Sequence, residues 1–264
     1  MAHPQIAVFA RLAKETDAPT RVLAGQKTLL ARTMHDIRYD AVNDEILVPN
    51  QFGQAILTFR GAADGEEAPI RVINGPSTGL QRPDRLDVDT VHNEIFVPDI
   101  DRILVYPRTG NGDVAPIRMI HGPDTELDTA TLAVDPVNNV IVASTGKRLL
   151  IFNRTDQGNV KPKAVIAGPN TQITRINQIQ MYPPKGLIIA AQPGGAGVEP
   201  KEPVFIGIWS IHDKGDVAPR WKLGGPKSGL KKPRGVALNP KHKELIVADM
   251  RLNSVLTFYF PEIF

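Results

Sequence analysis

The sequence predicts an all-β fold, and three observations carry that prediction. A phrase returns five times in 264 residues: TFRGAADGEEAPIRVINGP from Thr58, VYPRTGNGDVAPIRMIHGP from Val105, the weaker IFNRTDQGNVKPKAVIAGP from Ile151 and WSIHDKGDVAPRWKLGGP from Trp209, and an opening VFARLAKETDAPTRVLAG from Val8. Its marker prolines, Pro19, Pro69, Pro116, Pro162 and Pro219, recur at intervals of 46–57 residues, the period of stacked supersecondary units. Between the phrases the chain runs in apolar stretches of 4–6 residues, β-branched and bounded by turn residues, with no useful stretch of helical period.

The elements follow in order. Each unit opens on a strand a: 36–40 (DIRYD), 85–89 (RLDVD), 131–135 (TLAVD), 178–182 (QIQMY) and 235–239 (GVALN). A tight turn leads to strand b, read as EILVPN, EIFVPD, VIVAS, LIIAAQ and ELIVAD. Strand c ends in the aromatic of the phrase, and strand d is IRVI or its equivalent. The Gly/Asp turn between c and d suits positive-φ positions. TGNGD at 109–113 resembles a phosphate loop, but no helix follows to supply N-terminal amides. Ala-Pro then starts an outer strand, where a missing N–H costs little.

Four short antiparallel strands per unit make a propeller blade. Five a-, b- and d-strands predict a five-bladed β-propeller of four-stranded antiparallel blades, one domain over residues 1–264. The first d-strand, around 21–23, has no a or b before it, and the last a and b have no d after them. The expected ring is therefore closed by the N-terminal strand completing the C-terminal blade. One c-type run is then in surplus, since both 6–9 (IAVF) and 254–260 (SVLTFYF) qualify. The other is an added edge strand, a tail packed on the ring, or a contact to a second subunit.

Composition narrows the function classes. There are no cysteines, which excludes disulfides, thiol redox chemistry and zinc–thiolate sites. No run of about 18 apolar residues spans a membrane. The start lacks a basic segment followed by an apolar one. The expected location is the cytoplasm, or the exterior or periplasm if a signal peptide has been removed. Net charge is +3, and the late basic cluster from Arg220 to Lys243 has only Trp221 for stacking, so no nucleic-acid partner is expected.

The repeat is its own control: positions filled alike in each unit hold the fold, and polar departures near the axis are functional candidates. The residues entering strand a are Asp36, Arg85, Thr131, Gln178 and Gly235, preceded by His35, Asp84, Ala130, Asn177 and Arg234. Strand b ends on Asn50, Asp99, Ser144, Gln192 and Asp249. On propeller topology these ring one channel mouth. Arg38 and Asp87 occupy equivalent positions on consecutive units and pair across them, as a ligand site or a structural bridge. His35 is the only histidine at this mouth and the first candidate for a general base or metal ligand. His35, Asp36 and Arg85 are the candidate catalytic residues. Asn50, Asp84, Arg38, Asp87, Asn177, Gln178 and Arg234 are candidate ligand contacts, and Asp99 and Asp249 are candidate metal ligands. Asp or Asn ending strand b equally serves to satisfy turn amides. The long loop 192–203 (QPGGAGVEPKEP) overhangs the same mouth as a lid or a tolerated insertion. G-x-S-x-G, H-E-x-x-H and P-loop signatures are absent.

The phrase P-x-G-φ-A-φ-D/N, turn, E-φ-φ-V-A-D/N, N-S-φ, clearest at 233–239, 244–249 and 253–255, resembles NHL-type and lactonase-like bacterial propellers. The resemblance covers almost the whole chain and implies the fold. It includes binding scaffolds, lactonases and lyases, and its lactonase members often carry calcium on the axis. It implies a small-molecule site at the mouth, metal-assisted lactonase- or esterase-like hydrolysis with Ca2+ or another divalent cation, or a non-catalytic scaffold binding a protein or glycan. A monomer, or a dimer through the apolar C-terminal tail, is expected.

Overall fold

In this computed structural model, which describes residues 4–32, 34–195 and 202–264 apart from the side chains at 129 and 130, each apolar run is a β-strand. A hairpin of β1 (Gln5–Val8) and β2 (Arg21–Ala24) comes first. The first blade is β3 (Arg38–Asp40), β4 (Glu45–Asn50), β5 (Ala55–Arg60) and β6 (Arg71–Ile73). The second is β7 (Asp87–Asp89), β8 (Glu94–Asp99), β9 (Arg102–Pro107) and β10 (Arg118–His121). The third is β11 (Thr129–Asp135), β12 (Val140–Thr145), β13 (Arg148–Asn153) and β14 (Ala164–Ala167), and the fourth is β15 (Gln178–Tyr182), β16 (Leu187–Gln192), β17 (Phe205–Ser210) and β18 (Trp221–Gly224). The fifth is β19 (Pro233–Asn239), β20 (Glu244–Asp249) and β21 (Ser254–Tyr259). Each sheet is an antiparallel meander in chain order, and short 3₁₀ turns are the only helical elements among the described residues. This is the expected all-β propeller of five blades.

The expected pairing of the two chain ends is corrected. The N-terminal d-strand β2 is laddered to its own c-strand β1, and the fifth sheet has three strands. The surplus c-strand has this explanation: each chain end keeps one. Its apolar tail packs down, with Ile263 buried, Phe264 edge-on to Tyr182 at 5.3 Å, and Lys185 Nζ donating to the Phe264 carbonyl at 2.7 Å.

Two units divide the chain. The N-terminal unit comprises residues up to Asp99 with Leu104–Ile117, and the C-terminal unit comprises Ile100–Ile103 with Arg118–Phe264. The first packs Leu23, Val48, Leu57 and Phe59 around the hairpin and first blade. The second packs Val142, Ile151, Ile179, Ile188 and Trp209 between the third and fourth blades, and Ile189, Ile208, Val236 and Val247 between the fourth and fifth. Strands b and c of the fourth blade, β16 and β17, are buried on both faces because the third and fifth blades pack against them, which is why they read as continuous rather than alternating runs.

Turn chemistry repeats with the strands. After strands β3, β7 and β11 a buried aspartate, Asp40, Asp89 or Asp135, accepts the two N–H groups of the a–b turn and a side chain from Asn43, His92 or Asn138. The Gly-Asp phrase builds a second device, a clamp on the preceding blade. Gly112 donates its N–H to the Val72 carbonyl at 2.7 Å and accepts from Asn74 N–H at 3.1 Å, so the c–d turn of the second blade bridges to β6 of the first. Gly65 on β2, Gly158 on β10 and Gly215 on β14 repeat it. The adjacent side chain then caps the 3₁₀ turn after Gly-Pro: Asp113 accepts Ser77 N–H at 2.7 Å, Asn159 accepts Asp124 N–H at 2.8 Å, and Asp216 accepts Asn170 N–H at 2.7 Å. Gly112 has φ +77° and Gly215 +72°, so glycine supplies the left-handed turn that aims both bonds backwards.

Candidate functional site

Residues 35–40 alternate exposed and buried, and the buried set is charged: Asp36, Arg38 and Asp40 turn inwards while Ile37 and Tyr39 face outwards. Arg38 is the centre of the seam between the first two blades. Its Nε donates to the Leu86 carbonyl at 3.1 Å and lies 3.1 Å from Asp87 Oδ1, and its Nη1 lies 3.8 Å from Asp36 Oδ1. Asp36 accepts the N–H of Leu86 at 3.3 Å and of Ile37 at 3.0 Å. Burial opposes the Arg38 charge, but Asp36 and Asp87 outweigh it and hold the guanidinium above its ordinary value. Of the two readings of Arg38 and Asp87, the structural bridge describes this geometry.

Beside that bridge stands a more open pair. Nδ1 of His35 is hydrogen-bonded to Asp84 Oδ1, and Asp84 Oδ2 accepts from Arg85 Nη1 at 2.9 Å. Arg85 Nη1 also donates to the Asp84 carbonyl, and its side chain is buried. The His35 side chain is 42 % exposed and that of Asp84 33 %. A carboxylate on Nδ1 fixes the imidazole and directs its basic lone pair to Nε2. An exposed base, its orienting carboxylate and a buried cation fixing that carboxylate are thus consecutive. The sequence placed His35, Asp84 and Arg85 at one mouth; their pairing depends on the path of the d–a connection, which no local pattern encodes.

The strand-b residues do another job. Asn50 donates to the Leu29 carbonyl and accepts from Gly53 N–H. Asp99 accepts the N–H groups of Gln81 and Arg82. Gln192 accepts Thr174 N–H and donates to the Gln172 and Pro203 carbonyls. Asp249 accepts four backbone N–H groups, from Lys231, Lys232, Arg251 and Leu252. In each case the side chain ties down the connection entering its own blade. Ser144 is too short to reach that connection. Its hydroxyl, and that of Thr131 opposite it on β11, have no hydrogen-bond partner and are buried. In the C-terminal unit, Gln178 Oε1 accepts Val236 N–H at 2.6 Å, Asn177 is buried and donates its N–H to Ala191, and Arg234 is partly buried on β19.

The axial calcium expected by resemblance does not fit these donors. Asp99 and Asp249 spend their oxygens on backbone N–H groups, and among the described residues no cluster of three or more His, Asp or Glu could hold a metal ion. Of the loop 192–203, residues 196–201 lie outside the described residues. Two grooves, of about 500 and 640 Å³, have linings that do not include His35: one is lined by Lys147, Gln172 and Pro203, the other by Ile6, Val8, Phe9, Ile37 and Tyr39.

Fold and turns together define a β-propeller. Among solved structures, the chain is similar to the hydrazine synthase of Kuenenia stuttgartiensis, with 11% sequence identity and a TM-score of 0.58 over 81% of this chain and 55% of that one. The chain spans about half the length of that protein, and the likeness concerns the fold alone. No family model matches the sequence, and no curated protein matches it.

Proposed function

We propose that the seam of the first two blades binds a small polar molecule at His35 and hydrolyses an ester or lactone bond in it. One observation carries the reading: an exposed imidazole whose Nδ1 is held by Asp84, with Asp84 fixed by buried Arg85. His35 Nε2 takes a proton from water as the oxygen attacks the carbonyl carbon. Asp84 stabilises the imidazolium, and the proton passes to the departing alkoxide, leaving acid and alcohol. Asp36 and Arg38 act as positioning residues, because they fix the backbone at Leu86.

The test is turnover on a panel of aryl esters and lactones. His35→Ala is expected to abolish it, and Asp84→Asn to lower kcat by about 10²–10⁴ with a shifted pH profile. Turnover unchanged in both variants overturns the mechanism. A second reading, a non-catalytic scaffold for a protein or glycan, draws on a different observation: Asn50, Asp87, Asp99, Gln178 and Asp249 all make bonds within the fold. It is the reading that stands if the folded wild type turns over nothing in the panel.

A further inference from the structure

Three surfaces that are covered elsewhere in the repeat lie open at the chain ends. The first is the edge of β21. Every other c-strand has a d-strand on it, and those outer strands are 3–4 residues long, several carrying Arg or Lys. β21 is six residues, SVLTFY, without a charge, with Val255 66 % and Tyr259 72 % exposed. Natural edges are blunted by charge, proline or brevity, and this one is not. The second is β18. The d-strands β2, β6, β10 and β14 are each clamped by a Gly-bearing turn of the next blade, whereas among the described residues no such turn bonds to the Lys222 carbonyl or the Gly224 N–H. The third is the groove of about 640 Å³ beside the hairpin, where Ile37 and Tyr39 face outwards.

One occupant covers all three. β1 and β21 are both c-strands, and β2 is a d-strand whose ladder runs Gln5↔Ala24, Ile6↔Leu23, Ala7↔Val22, Val8↔Arg21. The same register, also used by β17 and β18 from Phe205↔Gly224, sets Ser254, Val255, Leu256 and Thr257 against Ala24, Leu23, Val22 and Arg21. β21 can thus replace β1 without a gap. The turn ahead of β2, ETDAP at 15–19, is the counterpart of GDVAP at 112–116, with Glu15 where the clamp glycine stands, and would come against β18 without that glycine. Strands β19 and β20, arriving with β21, would cover Ile37 and Tyr39. In the folded chain β2 carries β1 and the edge of β21 carries no strand, and the occupant whose register fits that edge is β2 of a second copy. We infer that two copies of this chain associate by strand exchange, β21 of one displacing β1 from β2 of the other. This does not depend on the hydrolytic reading.

The cysteine-free sequence allows a direct test. Residues directly opposite in an antiparallel ladder have Cα atoms about 4.5–5.5 Å apart, within disulfide reach. Folded Val22→Cys and Leu256→Cys chains, mixed and oxidised, are expected to cross-link to each other, while Leu256→Cys mixed with Phe52→Cys is not. Light scattering of the unmodified chain should give at least twice 28.8 kDa, and Val255→Lys, at an exposed position, should return the mass to one chain. A single-chain mass for the unmodified protein with no cross-link overturns the proposal. So does cross-linking of Leu256→Cys to itself, the mark of β21 pairing with β21.

Discussion

Arg38 shows how a residue can look functional and hold the fold. It is buried between Asp36 and Asp87, and removing it takes the guanidinium away from both carboxylates. Arg38→Met is expected to cost about 3–5 kcal/mol in urea denaturation, as for other broken buried pairs. Gln178→Ala strands the buried N–H of Val236 and should cost about 1–3 kcal/mol in the same measurement. The Arg38–Asp87 contact was legible in the sequence because the two residues hold equivalent positions on consecutive repeats. The His35–Asp84 pair was only half legible: both residues were placed at one mouth, but their bond is set by loop paths. Asp99 and Asp249 were ambiguous for a chemical reason, since a carboxylate at a loop suits backbone amides and cations equally well.

At the scale of elements, the strands were legible and the clamps were not. Alternating turns and apolar runs mark a strand within its own few residues. A clamp joins Asp113 to Ser77, and Asp216 to Asn170, across a whole blade. The phrase was visible as a turn, and only its partner was hidden. Asp113→Ala should cost about 0.5–2 kcal/mol, the range for losing a helix cap, and Gly112→Ala about 1–2 kcal/mol from its left-handed backbone. Thermal unfolding checks both. The turn of the fourth blade adds a pH effect. Burial raises the Asp213 carboxyl, but Arg220, with the Ser210 N–H, outweighs it and holds it below its ordinary value. Its contribution is present above the ordinary carboxylate value and is lost as pH falls through the depressed one. Asp213→Asn should therefore flatten the acid limb of the stability curve below about pH 4.

For the molecule as a whole, the period of the repeat predicted the blades, while strand counting alone mispaired the ends. Counting treats β1 and β21 as rivals for one place, and the structure gives each its own sheet. A c-strand nearby in sequence closes a short loop with β2, at less entropic cost than a distant one. The same local preference makes the exchange in another copy a matter of concentration.

The clamp also has a direction. Among the described residues, each of the four clamped d-strands, β2, β6, β10 and β14, is secured by a turn that lies after it in the chain. During synthesis a blade would remain loosely held at its outer edge until the ribosome had delivered the next blade's Gly-Asp turn, so maturation advances one blade behind translation. A chain cut within any blade would release the outer strand of the one before, and proteases should find that strand first.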